Sequence, residues 1–142
     1  MKRFGLLAVL VLASVDARAD SPYDGPWKQS PLKDVAGMLR SCSYAAYAGL
    51  DQYVAAHPEL AGGSGADHLA GWARLWQNSA AGEFLRGYRD AIAANPALLP
   101  SPQSAQQLLD AYQLEKAAYE LVYELDNRPE WVRIPLNGIL DL

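Results

Sequence analysis

The sequence predicts an all-α fold of about three long helices and a short C-terminal helix. Three observations predict it. Apolar residues recur at helical spacing in three separate stretches. Each stretch is bounded by Pro, Gly, Ser, Asp or Asn in the positions that start and stop helices. No segment alternates between polar and apolar residues over a length that would make a strand. The chain has 142 residues, the size of one domain, and 51% of them are hydrophobic, enough for a core.

Residues 1–19 stand apart. Lys2 and Arg3 precede an apolar run from Phe4 to Val15, and Ala17-Arg18-Ala19 then places small residues in an A-x-A arrangement. That order is the pattern of a secretory signal peptide. The run is shorter than the roughly 20 residues needed to span a bilayer, so no membrane span is expected. Residues 20–30, with Ser21-Pro22, Asp24-Gly25-Pro26 and a lone Trp27, read as a linker. The helical domain is expected over 31–142.

Ser30 and Pro31 predict the start of the first helix, a hydroxyl cap followed by a proline in the first turn. Asp34 adds a negative charge where the helix dipole favours it. The apolar stripe is Val35, Met38, Leu39, Cys42, Ala45, Ala46, Gly49 and Leu50, and His57-Pro58 ends the helix near Ala56. Ala45, Ala46, Ala48 and Gly49 form a small-residue patch suited to close helix approach. The glycine-rich stretch 61–66 predicts a flexible loop, with Asp67 capping a second helix whose stripe is Trp72, Leu75, Trp76, Phe84, Leu85, Tyr88 and Ile92. Gly71, Gly82 and Gly87 weaken that helix by roughly 1 kcal/mol each relative to Ala, so tertiary packing must hold it. The third helix is expected from about Gln103 to Asp126, with Leu108, Leu109, Tyr112, Ala117, Leu121, Val122 and Leu125 on its apolar side. Asn127-Arg128-Pro129 stops it, and a short apolar tail follows.

Composition excludes several functions. The net charge is −4 over the whole chain; residues 1–19 hold three basic residues and one acidic, so the remainder carries −6. Nucleic-acid binding needs clustered cations and is not expected. One cysteine, Cys42, excludes a disulfide framework, and it lies on the apolar stripe as a small hydrophobe. His57 and His68 have no second ligand at metal-binding spacing. The chain contains no phosphate-binding loop, no nucleophile elbow, and no kinase-type catalytic loop or metal motif.

The densest polar cluster lies in the third helix, where Lys116, Glu120 and Glu124 are spaced i, i+4, i+8 beside Tyr119 and Tyr123. Two readings fit. Polar groups interleaved with aromatic rings suit a carbohydrate, whose hydroxyls take hydrogen bonds while its C–H face stacks on tyrosine. The same pattern also fits a solvated helix face, in which each i,i+4 pair adds about 0.2–0.5 kcal/mol. Trp27, Trp72, Trp76 and Trp131 can stack on sugars too, but Trp72 and Trp76, one turn apart, read as core.

Two stretches together resemble a known family. The first is Lys28-Gln29-Ser30-Pro31-Leu32-Lys33-Asp34-Val35-Ala36-Gly37-Met38-Leu39-Arg40-Ser41, followed by Tyr44-Ala45-Ala46. The second is Leu114-Glu115-Lys116-Ala117-Ala118-Tyr119-Glu120-Leu121-Val122-Tyr123-Glu124-Leu125, then Asn127-Arg128-Pro129-Glu130-Trp131-Val132 and Ile134-Pro135-Leu136. In this order, with a Trp-rich helix between them, they resemble the C-terminal part of bacterial maltokinases, a module also found fused to trehalose synthase (maltose α-D-glucosyltransferase). The likeness covers about Lys28 to Leu142, roughly four-fifths of the chain.

The resemblance implies the helical C-terminal lobe of an aminoglycoside-phosphotransferase-like kinase. The intact family enzyme uses Mg-ATP to phosphorylate the anomeric hydroxyl of maltose for α-glucan synthesis. Such transfer rests on positioning and on charge neutralisation by the metal. Its base Asp sits in an H-G-D-like loop and its metal carboxylates in a D-F-E-G-like motif shortly before the first stretch. Here that place holds Ser21-Pro22-Tyr23-Asp24-Gly25-Pro26-Trp27, so Asp24 is given no metal role and no cofactor is expected in this chain. The resemblance turns the third-helix cluster toward the sugar reading. Lys116, Tyr119, Glu120 and Tyr123 become candidates for binding maltose or a related α-glucoside. Glu124 and Arg128 are expected to tie the helix to its neighbours, Asp34 to brace its own helix, and Trp131 to act structurally. The expected partners are the kinase N-terminal portion or trehalose synthase. A lobe without its partner should expose apolar surface. Two alternatives stay open: one half of a split kinase, and an exported helical domain that binds carbohydrate or protein. The family implies a cytoplasmic protein; residues 1–19 imply a periplasmic or secreted one.

Overall fold

A computed structural model describes residues 30–60 and 62–142. The signal-peptide-like segment 1–19 and the remainder of the expected linker up to residue 29 lie outside the described residues, Asp24 and Trp27 among them. Four helices follow one another with no strand among the described residues: α1 (Leu32–Ala56), α2 (Gly63–Ile92), α3 (Pro102–Asn127) and the short α4 (Arg133–Leu140). The all-α prediction of three long helices and one short one is what the chain adopts.

The helix starts follow local chemistry. The Ser30 hydroxyl accepts from the Leu32 N–H at 3.3 Å, as a cap must. The Ser101 side chain accepts from the Ser104 N–H at 3.3 Å, with Pro102 in the first turn of α3. All three long helices stop ahead of an X–Pro step. His57, Asn95 and Arg128, each preceding a proline, share φ between −132 and −147° and ψ between 68 and 71°. Proline forces its predecessor out of the helical region. Each proline then opens a single 3-10 turn, at Pro58–Leu60, Pro96–Leu98 and Pro129–Trp131.

α1 is the centre of the molecule. Leu32, Val35, Ala36 and Leu39 join Leu109 of α3 in one core cluster, against which Ala81, Phe84, Leu85 and Tyr88 of α2 pack. A second cluster joins Tyr44 and Tyr47 of α1 to Ile134 of α4, with Leu50 and Trp131 beside it. α1 is therefore buried on more than the predicted stripe. Arg40, Ser43, Tyr44 and Tyr47 are buried, whereas Met38 and Gly49 are exposed. Of the small-residue patch, Ala46 and Ala48 are buried.

Three expectations need correction. The stretch 61–66 is not a loop throughout: α2 begins at Gly63, and Asp67 lies inside it. Gly63 opens the helix at φ +64°, a conformation that a side chain would make costly, and this lets the chain enter α2 five residues early. Trp72 and Trp76 are not core, being 58% and 48% exposed with Leu75 at 54% between them. Among the described residues only the C-terminal half of α2 packs on the α1 cluster, and its N-terminal apolar positions stay exposed. On α3, the predicted apolar positions Val122 and Leu125 face solvent, while Glu120 and Glu124 are buried. The partners that make this inversion tolerable are the polar side chains of α1.

Gly71, Gly82 and Gly87 lie on exposed turns of α2, where an added Cβ meets nothing within 4 Å. Replacing each by Ala should stabilise the chain by about 0.5–1 kcal/mol. The triple variant is expected to melt several degrees higher in a calorimetric scan. An unchanged or lower Tm would mean that α2 is not helical through these positions.

Candidate functional site

The functional candidates sit where α3 crosses α1. Arg40 projects from the middle of α1, and its Nε donates to Glu120 Oε2 at 2.9 Å. Both side chains are almost fully buried, at 4% and 8% exposure. Arg40 Nη2 also reaches the Ile134 carbonyl at the start of α4, at 3.5 Å. One turn along α1, the Tyr44 hydroxyl donates to Glu124 Oε1 at 3.0 Å. Glu124 also receives Arg128 in a two-pronged pair, Nε to Oε2 and Nη2 to Oε1, both 2.8 Å. The i, i+4 spacing of Arg40 and Tyr44 thus meets the i, i+4 spacing of Glu120 and Glu124.

α4 closes this network. A Cβ placed on Gly138 would lie 1.8 Å from Arg40 Nη1 and 2.6 Å from its Cζ. Only glycine lets α4 come this close to the guanidinium. Arg133 of α4 also pairs with Asp51 of α1. Arg128 lies 4.4 Å from the centre of the Trp131 ring and 5.4 Å from that of Tyr123, so its cation faces two aromatic rings. Trp131 in turn lies 6.1 Å from Tyr44. The chain of contacts runs without a break from Arg40 to Tyr123.

The electrostatics follow from burial. Desolvation raises the Glu120 carboxyl above its ordinary value, outweighing Arg40 and Lys116, which lower it. Among the described residues, Glu120 Oε1 has no hydrogen-bond partner. Burial also holds the Tyr44 phenol well above its usual range, reinforced by Glu120 and by its bond to Glu124, so it remains a donor at any ordinary pH. Burial pushes the Cys42 thiol up, which disfavours the thiolate that nucleophilic chemistry would need.

The sugar-binding candidates do not share one surface. Tyr119 and Tyr123 are 54% and 44% exposed, one turn apart on α3. Lys116 is half-buried, its Cε 3.8 Å from where a Gly37 Cβ would stand. Glu120 faces inward, its free oxygen sealed from solvent. Tyr119 and Tyr123 are exposed on α3, Lys116 is half-buried beside Gly37 of α1, and Glu120 is buried. Asp34 is exposed in the first turn of α1. Arg40, Tyr44 and Gly138 were not singled out as functional from the sequence. The sequence signal for a buried Arg40 is its place beside Leu39, Ser43 and Tyr44 on successive turns of one face of α1.

Among the described residues, no cluster of three or more His, Cys, Asp or Glu side chains is placed to hold a metal ion. No helix among them is long and apolar enough to cross a membrane. No protein-family model matches the chain.

Two outcomes test the network. Gly138→Ala should cost about 1–3 kcal/mol, because Arg40 must leave its place against Glu120. Leu140→Ala, 74% exposed in the same helix, should cost about 0.5 kcal/mol or less. Equal melting temperatures for the two variants would contradict the close approach. The second outcome concerns pH. Glu120 is raised above its ordinary 4.5, so the folded chain holds that proton more tightly than the unfolded one. The stability it contributes is full below that ordinary value and is lost as pH rises through the folded value. Glu120→Gln cannot titrate. In thermal melts across this rise, the wild type should therefore lose stability relative to Glu120→Gln; a constant difference would show that Glu120 does not titrate on folding.

Proposed function

We propose that this chain is the helical acceptor-side part of a maltokinase-like enzyme, and that the outer strip of α3 binds maltose or a related α-glucoside. One observation carries the reading. The two stretches that resemble the family are the same two that the buried network joins, through Arg40 to Glu120 and Tyr44 to Glu124.

In this reading each group has a physical task. Tyr119 and Tyr123 offer exposed ring faces one turn apart, the spacing on which a sugar ring can stack. Lys116, at the edge of the same strip, supplies a cation to donate to sugar hydroxyls. Glu120 acts from beneath by holding α3 against Arg40 rather than by touching the sugar. Glu124, Arg128 and Trp131 fix the end of the helix and the face of Tyr123. The ATP-dependent step is assigned to residues outside this sequence, since the 142 residues contain neither an H-G-D-like loop nor a D-F-E-G-like motif. Mg-ATP belongs to that missing machinery. The exposed Trp72, Leu75 and Trp76 of α2 suit a protein partner, assigned here to the remainder of the kinase or to trehalose synthase.

The test is binding and turnover measured separately. Maltose titrated into the full chain should shift the amide resonances of Lys116, Tyr119 and Tyr123. Tyr119→Ala and Tyr123→Ala should each weaken binding several-fold while leaving the melt unchanged. Absence of any shift at millimolar maltose would remove the sugar assignment. ADP release from purified chain, ATP and maltose would contradict the assignment of catalysis elsewhere.

A further inference from the structure

His68 is used by neither the buried network nor the sugar reading, and it holds a tryptophan on the exposed face of α2. His68 and Trp72 stand one turn apart on that helix, and the Trp72 Nε1–H donates to His68 Nε2 at 2.9 Å. Their rings lie 6.1 Å apart at an angle of 73°. His68 is exposed, as are Trp72 and its neighbours Leu75 and Trp76.

We propose that His68 and Trp72 form a pH-sensitive latch: neutral His68 pins the Trp72 indole by its N–H, and protonated His68 releases it, so that the exposed apolar strip of α2 has two forms. The direction of the bond dictates this. An indole N–H can only donate, so His68 Nε2 must be the acceptor and the ring proton of His68 must sit on Nδ1. An imidazolium carries an N–H on both nitrogens and accepts at neither. Protonation therefore sets two N–H groups against each other and breaks the bond. A second arrangement lies close by. From a ring separation of 6.1 Å, a modest turn of either side chain lays the imidazolium over the indole face, the position a cation favours. Histidine is the side chain whose charge changes near neutral pH, so the two forms exchange in a physiological range.

Three other titratable groups stand near this turn: Asp67 beside His68 on α2, Glu59 in the 3-10 turn Pro58–Leu60 that packs against α2, and His57 at the end of α1. Among the described residues, none of them forms a hydrogen bond or ion pair with His68. His57 is engaged on its own helix, its Nδ1 2.9 Å from the Tyr53 carbonyl and its ring stacked on Tyr53 at 4.3 Å. The latch therefore turns on His68 itself. A protein surface that meets the strip finds a pre-set indole when His68 is neutral and a loose one, costlier to order, when it is charged.

NMR on the full chain tests this. The Trp72 indole resonance is identified by its loss in Trp72→Phe, and the wild-type chain, labelled with nitrogen-15, is titrated from about pH 8 to about pH 5. Neutral His68 should carry its proton on Nδ1, and the Trp72 indole N–H should shift in step with the His68 ring as it titrates. Glutamine can accept at this position but cannot titrate, so in His68→Gln the Trp72 indole should hold one position throughout. His57→Gln should leave the Trp72 shift as in the wild type. A neutral His68 protonated on Nε2 would overturn the proposal. So would a Trp72 indole that ignores the His68 titration, still follows pH in His68→Gln, or loses its shift in His57→Gln.

Discussion

The arrangement of this molecule depends on one buried ion pair. Arg40 and Glu120 face each other at 2.9 Å in the α1–α3 interface with almost no solvent access. Such a pair does not make a strong net contribution to stability, because removing both charges from water offsets most of their attraction. The raised Glu120 carboxyl expresses that cost directly. What the pair does is restrict the arrangement. Sliding α3 by one turn in one direction would set Lys116 against Arg40, two like charges in a dry interface. Sliding it the other way would set Arg128 against Tyr44 and remove the acceptor that Glu124 provides. Only the observed register gives every charge a counter-charge or a donor.

The remaining elements follow from that register. Once Arg40 is committed to Glu120, its outer nitrogens point at α4, and the Ile134 carbonyl and Gly138 determine how closely that short helix docks. Glu124, held by Tyr44, orients Arg128, and Arg128 aligns Trp131 and Tyr123 by lying over both rings. The exposed Tyr119 and Tyr123 are thereby carried on a helix that is locked from beneath. For the proposed sugar-binding role this means a pre-ordered helix, so that a ligand stacking on the two rings would lose less entropy on binding.

Helix existence was legible in the sequence because its signals are local. Ser30-Pro31, His57-Pro58 and Asn127-Arg128-Pro129 act over two or three residues, and the structure uses each of them. Which face of a helix turns inward is not a local property. Val122 and Leu125 read as core on hydrophobicity alone, yet they are exposed because Arg40 and Tyr44 on a different helix supply partners for Glu120 and Glu124. Trp72 and Trp76 failed for a related reason: an apolar stripe indicates where burial is favourable, not whether anything in the same chain supplies it. The early start of α2 at Gly63 was hidden because glycine-rich sequence usually signals a loop, and here one positive-φ glycine opens a helix. The resemblance placed Glu124 and Arg128 together but gave no hint that Arg40 and Gly138 complete the network.

A double-mutant cycle on the melting free energy, with Arg40→Met, Glu120→Leu and the pair combined, tests the central claim most directly. Each single replacement strands a buried charge and should cost about 3–5 kcal/mol, whereas the combined variant should lose far less than their sum, with a coupling of at least about 1–3 kcal/mol. Effects that add to within about 0.5 kcal/mol would contradict the account, because the two charges would then not depend on one another.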